Sequence, residues 1–434
     1  MNQKITVNVI GGGLAGVEAS HQLSKQGIKV KLYEMRPINS SPAHKTGFLA
    51  ELVCSNSFKS SNILSASGLL KEEMRLLDSI IIKAAYASRV ESGESLSVDR
   101  LLFSKEIERI ISKDENIEVI REEICSFDKD TPTIIAVGPL PSTKLSNFLK
   151  DFLGRDSLHF FDAVAPIITK ESIDFNIAYY KSRYDKGAPD FINLPMNKEE
   201  YLNFYNELVS SESVVLEDFE KNVFEGCMPI EVLAKRGVKA LLFGPLKPVG
   251  LEKENEKRSY AVAQLRIDDI NRSTYNLIGF QTNLTFKEQK RVFSLIPGLK
   301  NISIVRYGVM HKNTYLESPI YLNNCYQMKD YKNIYVAGQI SGVEGYLESA
   351  SSGLIAGNYM AKQILGTQFV PLSTNTIIGS LANYISTKQK TFNPMNANFS
   401  IISQVEMKDK RLKKEFYVKR SLKEINEYLG NKND

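Results

Sequence analysis

The segment from Lys4 to Glu34 constrains this chain more than any other, because it reads as strand, glycine turn, helix, strand. Lys4 to Ile10 is rich in β-branched residues and runs directly into Gly11-Gly12-Gly13-Leu14-Ala15-Gly16, so a buried strand ends in a G-x-G-x-x-G turn. Gly11 permits the tight turn, Gly13 lets the backbone approach a pyrophosphate, and Gly16 lets the next helix pack closely with its N-terminus toward the anion. That helix is expected to run to about Gln26 and to stop at Gly27. The second strand, Lys29 to Glu34, ends in a carboxylate 23 residues beyond Gly11. An acid at an offset of about 20 residues accepts hydrogen bonds from an adenosine ribose and disfavours a 2′-phosphate, so FAD or NAD is expected here and NADP is not.

The 434 residues exceed one ordinary core, and two domains are expected. No apolar run approaches the roughly 20 residues of a membrane span, and the N-terminus enters a strand directly, leaving no room for a signal peptide. A cytoplasmic protein without membrane association is expected. Cys54, Cys125, Cys227 and Cys325 are scattered and form no C-x-x-C, and His21, His44, His159 and His311 are equally dispersed. Neither pattern supports a metal site or a disulfide framework. The net charge is +5, yet Lys408 to Lys423 alone carries eight basic residues against Asp409 and Glu415. Two readings of that stretch are open: a helix facing a polyanion, or a solvated helix with Leu412, Phe416 and Leu422 turned inward.

Leu69, Leu70, Met74, Leu77 and Ile81 recur at helical spacing, as do Phe103, Ile107, Ile110 and Ile111 in a helix capped by Ser97 or Asp99. Thr133 to Val137 is a short strand ending at Gly138, suited to a second edge of the nucleotide cleft. From about Ala165 to Lys312 the strand–helix rhythm gives way to an antiparallel hairpin, Tyr260 to Arg266 with Tyr275 to Gln281. The parallel pattern returns at Asn333 to Gly338 and leads into a small-residue helix from Glu348 to about Ala361. The expected architecture is α/β: a discontinuous Rossmann-like FAD-binding domain, residues 1–165 and 313–434, with an inserted α+β domain at 166–312.

Several segments together resemble one family. PAHKTGFLAELVCSNS (Pro42 to Ser57), LLKEEMRLLDS (Leu69 to Ser79), KSRYDKG (Lys181 to Gly187) and FEGCMPIEV (Phe224 to Val232) occur in order with LLFGPLKPVGLE (Leu241 to Glu252) and RYGVMHKNT (Arg306 to Thr314). GQISGVEGYLESASSGLIAG (Gly338 to Gly357) and PMNANF (Pro394 to Phe399) complete the set. With the glycine loop, the chain resembles the folate- and FAD-dependent RNA uracil-5-methyltransferases over nearly its whole length. The resemblance implies methyl transfer without S-adenosylmethionine: reduced FAD carries the methylene of 5,10-methylenetetrahydrofolate to carbon 5 of uracil and supplies the reducing equivalents, and NADPH or NADH re-reduces it. Within it the RNA is the T-loop uridine of tRNA, or 23S ribosomal RNA as in some relatives. Lys45 and Asn283 depart from histidines common in the family.

The chemistry asks for what the motifs offer. Carbon 5 of uracil is a poor nucleophile until a thiolate adds at carbon 6, and a second group must then take the carbon 5 proton. The match to FEGCMP implies that Cys227 is the nucleophile, and the match to ELVCSNS that Cys54 is a second catalytic thiol, acting as acid, base or partner. Cys125 and Cys325 match no motif and are read as structural. Tyr346 falls where the family sets an aromatic against the flavin, with Gly338, Gln339 and Glu344 lining the same cleft. His44 and His311 lie in motifs that meet folate or RNA. Lys181, Arg183, Tyr184 and Lys186 interleave basic and aromatic groups suited to phosphate contact and base stacking, although a solvated hairpin has the same composition. Two other classes stay open: an RNA-binding flavoprotein scaffold without catalysis, and a different flavoprotein such as a thiol oxidoreductase.

Overall fold

The computed structural model describes residues 5–430 apart from 42, 155–157, 164, 215–227, 254–255, 369 and 391, and for 158–163, 311 and 312 it describes the backbone. Cys227 therefore lies outside the described residues.

The β-branched run after Lys4 forms strand β1, Thr6–Ile10, and the glycine turn opens helix α1, Leu14–Ser24. Strand β2, Lys29–Tyr33, lies parallel to β1 with Thr6 opposite Lys29. The sheet runs in the order Ile334–Val336, Thr133–Ile135, β1, β2, Ile117–Ile120, all parallel. The strand from the far end of the chain thus completes the N-terminal sheet. Parallel strands need helical cover on both faces, and one cover is the long helix Tyr346–Leu365. It packs along α1 at very short range: a Cβ on Gly353 would overlap the Ala15 carbonyl, and one on Gly357 would lie 2.6 Å from the Ala19 oxygen. The small-residue run of that helix is a consequence of this approach.

A second sheet of six antiparallel strands has the order Tyr179–Tyr180, Phe191–Met196, Ala261–Ile267, Thr274–Leu277, Ile167–Thr169, Ile304–Arg306. The expected hairpin is there, with Leu265 opposite Leu277, but its second strand stops at Leu277 because the chain turns at Gly279 against Pro245. Two separate hydrophobic cores form among the described residues, one under the parallel sheet and one under the antiparallel sheet. Between the sheets, Leu158–Ala163 and Met310–Tyr315 run as an antiparallel ribbon.

Two local expectations need correction. The helical run through Leu69 to Ile81 is broken into helix α2, Ala66–Leu76, and a second helix, Ile80–Ala87, because Asp78 adopts a φ of +66° and Ser79 caps the new helix by accepting from the Ile82 N–H. In the C-terminal helix Lys410–Gly430 the inward residues are Tyr417, Ser421 and Ile425. Leu412 is 54 % exposed and Phe416 39 %, so the solvated reading fails for these two, while Leu422 is half-buried against the core as expected. Asp99, not Ser97, caps the helix Arg100–Ile111, accepting from the Leu102 N–H at 2.9 Å.

Candidate active site at the nucleotide cleft

The glycine turn, the ends of the parallel strands and the first turn of the long helix enclose a cleft of about 1040 Å³, partly open to solvent. Gly11, Gly12, Gly13, Leu14, Ala15, Glu34, Gly138, Gly338, Gln339 and Tyr346 all line it. Helix α1 begins there with no side-chain cap, so its first N–H groups and the positive end of its dipole are available to an anion. A Cβ on Gly13 would meet nothing within 4 Å, whereas one on Gly16 would overlap the Gly11 carbonyl. Gly16 therefore serves helix packing behind the cleft, and Gly13 leaves room in front of it. The long helix also starts uncapped at Gly345, with Tyr346 and Ser349 facing the same space. Two helix N-termini and a ribose-facing acid are the features a dinucleotide needs, so the residues present fit FAD.

Glu34 is buried, and its carboxylate accepts from the Gly12 N–H at 3.0 Å and from the Arg36 guanidinium at 2.8 and 2.9 Å. Burial opposes its charge, but the Arg36 hydrogen bonds and charge prevail and hold the carboxyl below its usual range. Arg36 is 1 % exposed and also reaches Glu51 at 3.1 Å. Glu51 in turn accepts from the N–H and hydroxyl of Thr46. This chain of ion pairs ties the second strand to the segment carrying Cys54. His44 lines the cleft beside it, its Nδ1 2.6 Å from the Ser41 hydroxyl, and burial together with Arg36 pushes its pKa down to about 4.

Cys54 is half-buried beside the cleft, next to the lining residues Val53 and Tyr346, and its backbone is gripped from several directions. The Tyr346 hydroxyl accepts from the Cys54 N–H at 2.7 Å and the Ser55 N–H at 3.0 Å. Burial and the neighbouring Cys54 push the Tyr346 hydroxyl pKa up, so it remains a neutral phenol. Arg100 donates to the carbonyls of Leu52 and Cys54 at 3.2 and 3.3 Å, Arg306 to that of Val53, and Arg266 to the Ser55 hydroxyl at 2.8 Å. Arg266 and Arg306 come from the antiparallel sheet, and burial lowers the pKa of both, that of Arg266 to about 10. Asn56, fully buried, donates to Val98 on one side and to Ile267 on the other. The motif ELVCSNS is thus fastened to the antiparallel sheet and to the strand Ser95–Val98 of a small three-stranded sheet.

Other expected residues are placed elsewhere. Glu344 sits behind Gln339, hydrogen-bonded to its amide and itself donating its N–H to Met395, so it shapes the cleft without lining it. Lys181, Arg183, Tyr184 and Lys186 do not line the cleft. Arg183 is engaged by the carbonyls of Val249 and Lys247 and by Gln264, which leaves it a structural tie, and Lys181 pairs with Asp185 at 3.0 Å. Tyr184 and Lys186 stay at the surface. Cys325 is buried, which pushes its thiol up to about 12. The residues following Cys227 are firmly held: the Ile230 N–H donates to Gln281 at 2.7 Å, and the buried Glu231 accepts from the Thr282 hydroxyl and the Asn283 N–H. Asn283 has a structural post here. Arg36, Glu51, Arg100, Arg266, Arg306 and Glu231 were missed by sequence reasoning, though Glu51, Glu231 and Arg306 lie inside the quoted motifs.

The family model "Glucose inhibited division protein A" matches residues 6–368. A protein of Acholeplasma laidlawii named methylenetetrahydrofolate--tRNA-(uracil-5-)-methyltransferase TrmFO is 53% identical over 423 residues, covering 98% of this chain and 99% of the relative. A Bacillus subtilis protein of the same name is 53% identical over 430 residues, covering 98% of each. Among solved structures, Aquifex aeolicus GidA aligns with a TM-score of 0.71 at 15% identity, covering 98% of this chain and 73% of that one, a likeness of fold.

Proposed function

The chain belongs to the folate- and FAD-dependent RNA uracil-5-methyltransferases, within the glucose inhibited division protein A family, and from that premise we propose that it methylates carbon 5 of the T-loop uridine of tRNA. The donor is 5,10-methylenetetrahydrofolate, and NADPH or NADH is the reductant. Bound and reduced FAD supplies the carrier for the one-carbon unit and the electrons that convert methylene to methyl. Gly11 to Ala15 and the start of α1 hold its pyrophosphate, Glu34 its ribose, and Gly138, Gly338, Gln339 and Tyr346 the remainder of the cleft.

The observation that carries this reading is the Tyr346 hydroxyl accepting from the Cys54 and Ser55 N–H groups, which joins the cofactor cleft to a catalytic thiol. Cys227 adds its thiolate to carbon 6 of uracil, giving carbon 5 the electron density to attack the electrophilic carbon. Cys54, set beside Tyr346, then accepts the proton that carbon 5 must lose as the methylene parts from its carrier; the exocyclic methylene takes up the hydride equivalent that reduced FAD would supply and becomes the methyl, and expulsion of Cys227 as thiolate restores the ring. Relatives named for tRNA favour tRNA over ribosomal RNA as substrate.

The test is trapping. A tRNA transcript carrying 5-fluorouridine has no proton to lose at carbon 5, so the Cys227 adduct should accumulate and shift the protein on a denaturing gel. Trapping that persists in Cys227→Ala would sink the assignment of the nucleophile, and absence of trapping in Cys54→Ala alone would exchange the two thiol roles.

A further inference from the structure

We propose that the basic first half of the helix Lys410–Gly430, together with the Ser60–Ser65 segment beside it, is a docking ridge for the phosphate backbone of the RNA substrate; this rests on the RNA-methyltransferase reading above. Lys410, Arg411 and Lys414 line a groove of about 710 Å³ with Ser60, Asn62 and Ser65. Lys408, Lys410, Arg411, Lys414 and Lys419 are exposed, because the helix meets the body through Tyr417, Ser421 and Ile425 and its first turns lie ahead of that contact.

The charge is placed against the helix's own interest. No acid occupies the first turn, and Lys410, Arg411, Lys413 and Lys414 crowd the end at which the dipole is already positive. Asp409 relieves this only as a cap, its Oδ1 accepting from the Arg411 and Leu412 N–H groups at 2.8 and 3.0 Å. The exposed Arg411–Glu415 pair at 3.0 Å is of the kind that contributes little. A local rule broken with so little internal compensation marks a surface whose complement is external, and here the complement is a polyanion. Across the groove the Ser60 hydroxyl and the Asn62 amide are neutral donors of the kind that accompany cations on phosphate, while the Ser65 hydroxyl donates to the Asn62 carbonyl and caps α2. Further along the helix, Phe416 is 39 % exposed with the Arg420 guanidinium 5.5 Å from its ring, a surface on which a splayed base can stack.

The groove is also tied to the active site. Strand β3, Ser57–Ser60, leads from the Cys54 segment straight to it, and six residues span at most about 20 Å. RNA lying on the ridge can therefore present a nearby nucleotide to the cleft.

The experiment compares wild type, the triple variant Lys410→Ala/Arg411→Ala/Lys414→Ala and the charge-retaining Lys410→Arg/Lys414→Arg, measuring the Kd of unmodified tRNA transcript across a salt series. The triple variant is expected to bind at least about tenfold more weakly at low salt, with the slope of log Kd against log salt reduced by about 2–3. Unchanged bound flavin and Tm show that it is folded, and the charge-retaining variant keeps wild-type affinity and slope. An unaltered Kd and slope in the folded triple variant overturn the ridge. So does unaltered RNA binding with a changed sedimentation coefficient, which would assign this face to a second copy of the chain. A wild-type protein that methylates no RNA would instead sink the functional reading itself, and the ridge with it.

Discussion

The Tyr346 hydroxyl is a small group with a large share of the site, because two backbone donors of the Cys54 turn converge on it. Tyr346→Phe leaves both N–H groups without that acceptor, a loss of about 1–3 kcal/mol in local order. Methylation is expected to fall at least about tenfold, the equivalent of 1.4 kcal/mol, while bound flavin, read from its absorbance, is retained. Gly13→Val should do the reverse: a Cβ there meets no protein atom, so the chain folds, but the side chain occupies the cleft and purified protein comes out colourless. Normal flavin content in that variant would remove the loop from the cofactor site. At this scale the sequence was informative where chemistry is local. Glycines at fixed spacing and Glu34 could be read as lining the cleft because their residue types are few and their neighbours close in the chain. Arg36, Arg100, Arg266 and Arg306 could not, since an arginine's partner is set by tertiary placement and most are solvated.

Helix α2 shows how an element can organise its neighbours. Its buried Glu73 accepts from the Ile377 and Ile378 N–H groups, both at 2.8 Å, capping the helix Ile377–Ser386, and also from the Ser421 hydroxyl of the C-terminal helix. One carboxylate joins three helices distant in sequence. Glu73→Ala should cost about 2–4 kcal/mol in urea unfolding at pH 8, since it strands buried donors. A change below about 0.5 kcal/mol would show that solvent takes over the cap. Strand and helix positions were legible from periodicity, and the break at Asp78 was not, because the apolar spacing carries on through it. The first turns of the C-terminal helix were misread for a related reason. Leu412 and Phe416 look like core in a hydrophobic pattern, but the helix meets the body only from Tyr417 onward.

At the scale of the molecule, Asn56, Arg266 and Arg306 fasten the Cys54 segment to the antiparallel sheet, while the Arg36–Glu51 pair ties it to the end of β2 in the parallel sheet. A parallel sheet completed by a late strand, with an antiparallel sheet from the middle of the chain, could be read in outline from the change of rhythm and its return, whereas the residues that bridge the sheets could not. Burial also sets a pH response. His21, beside Lys25, and His44, beside Arg36, are both held down to about 4, against about 6.5 unfolded. Their folded pKa values are depressed, so stability is full above about 6.5 and falls as acid drives the unfolded state to bind protons first, by about 1–3 kcal/mol each by pH 4. Unfolding free energies of His21→Gln/His44→Gln should vary less than wild type over that interval; parallel curves would contradict the assignment. No described helix is long and apolar enough to cross a membrane. The central claim is the reaction, and the most direct test is purified protein with NADPH and labelled 5,10-methylenetetrahydrofolate, offered unmodified tRNA and 23S rRNA transcripts separately. The account predicts label at carbon 5 of the T-loop uridine, lost in Cys227→Ala although its flavin remains. Absence of label from both RNAs in flavin-replete protein would contradict it.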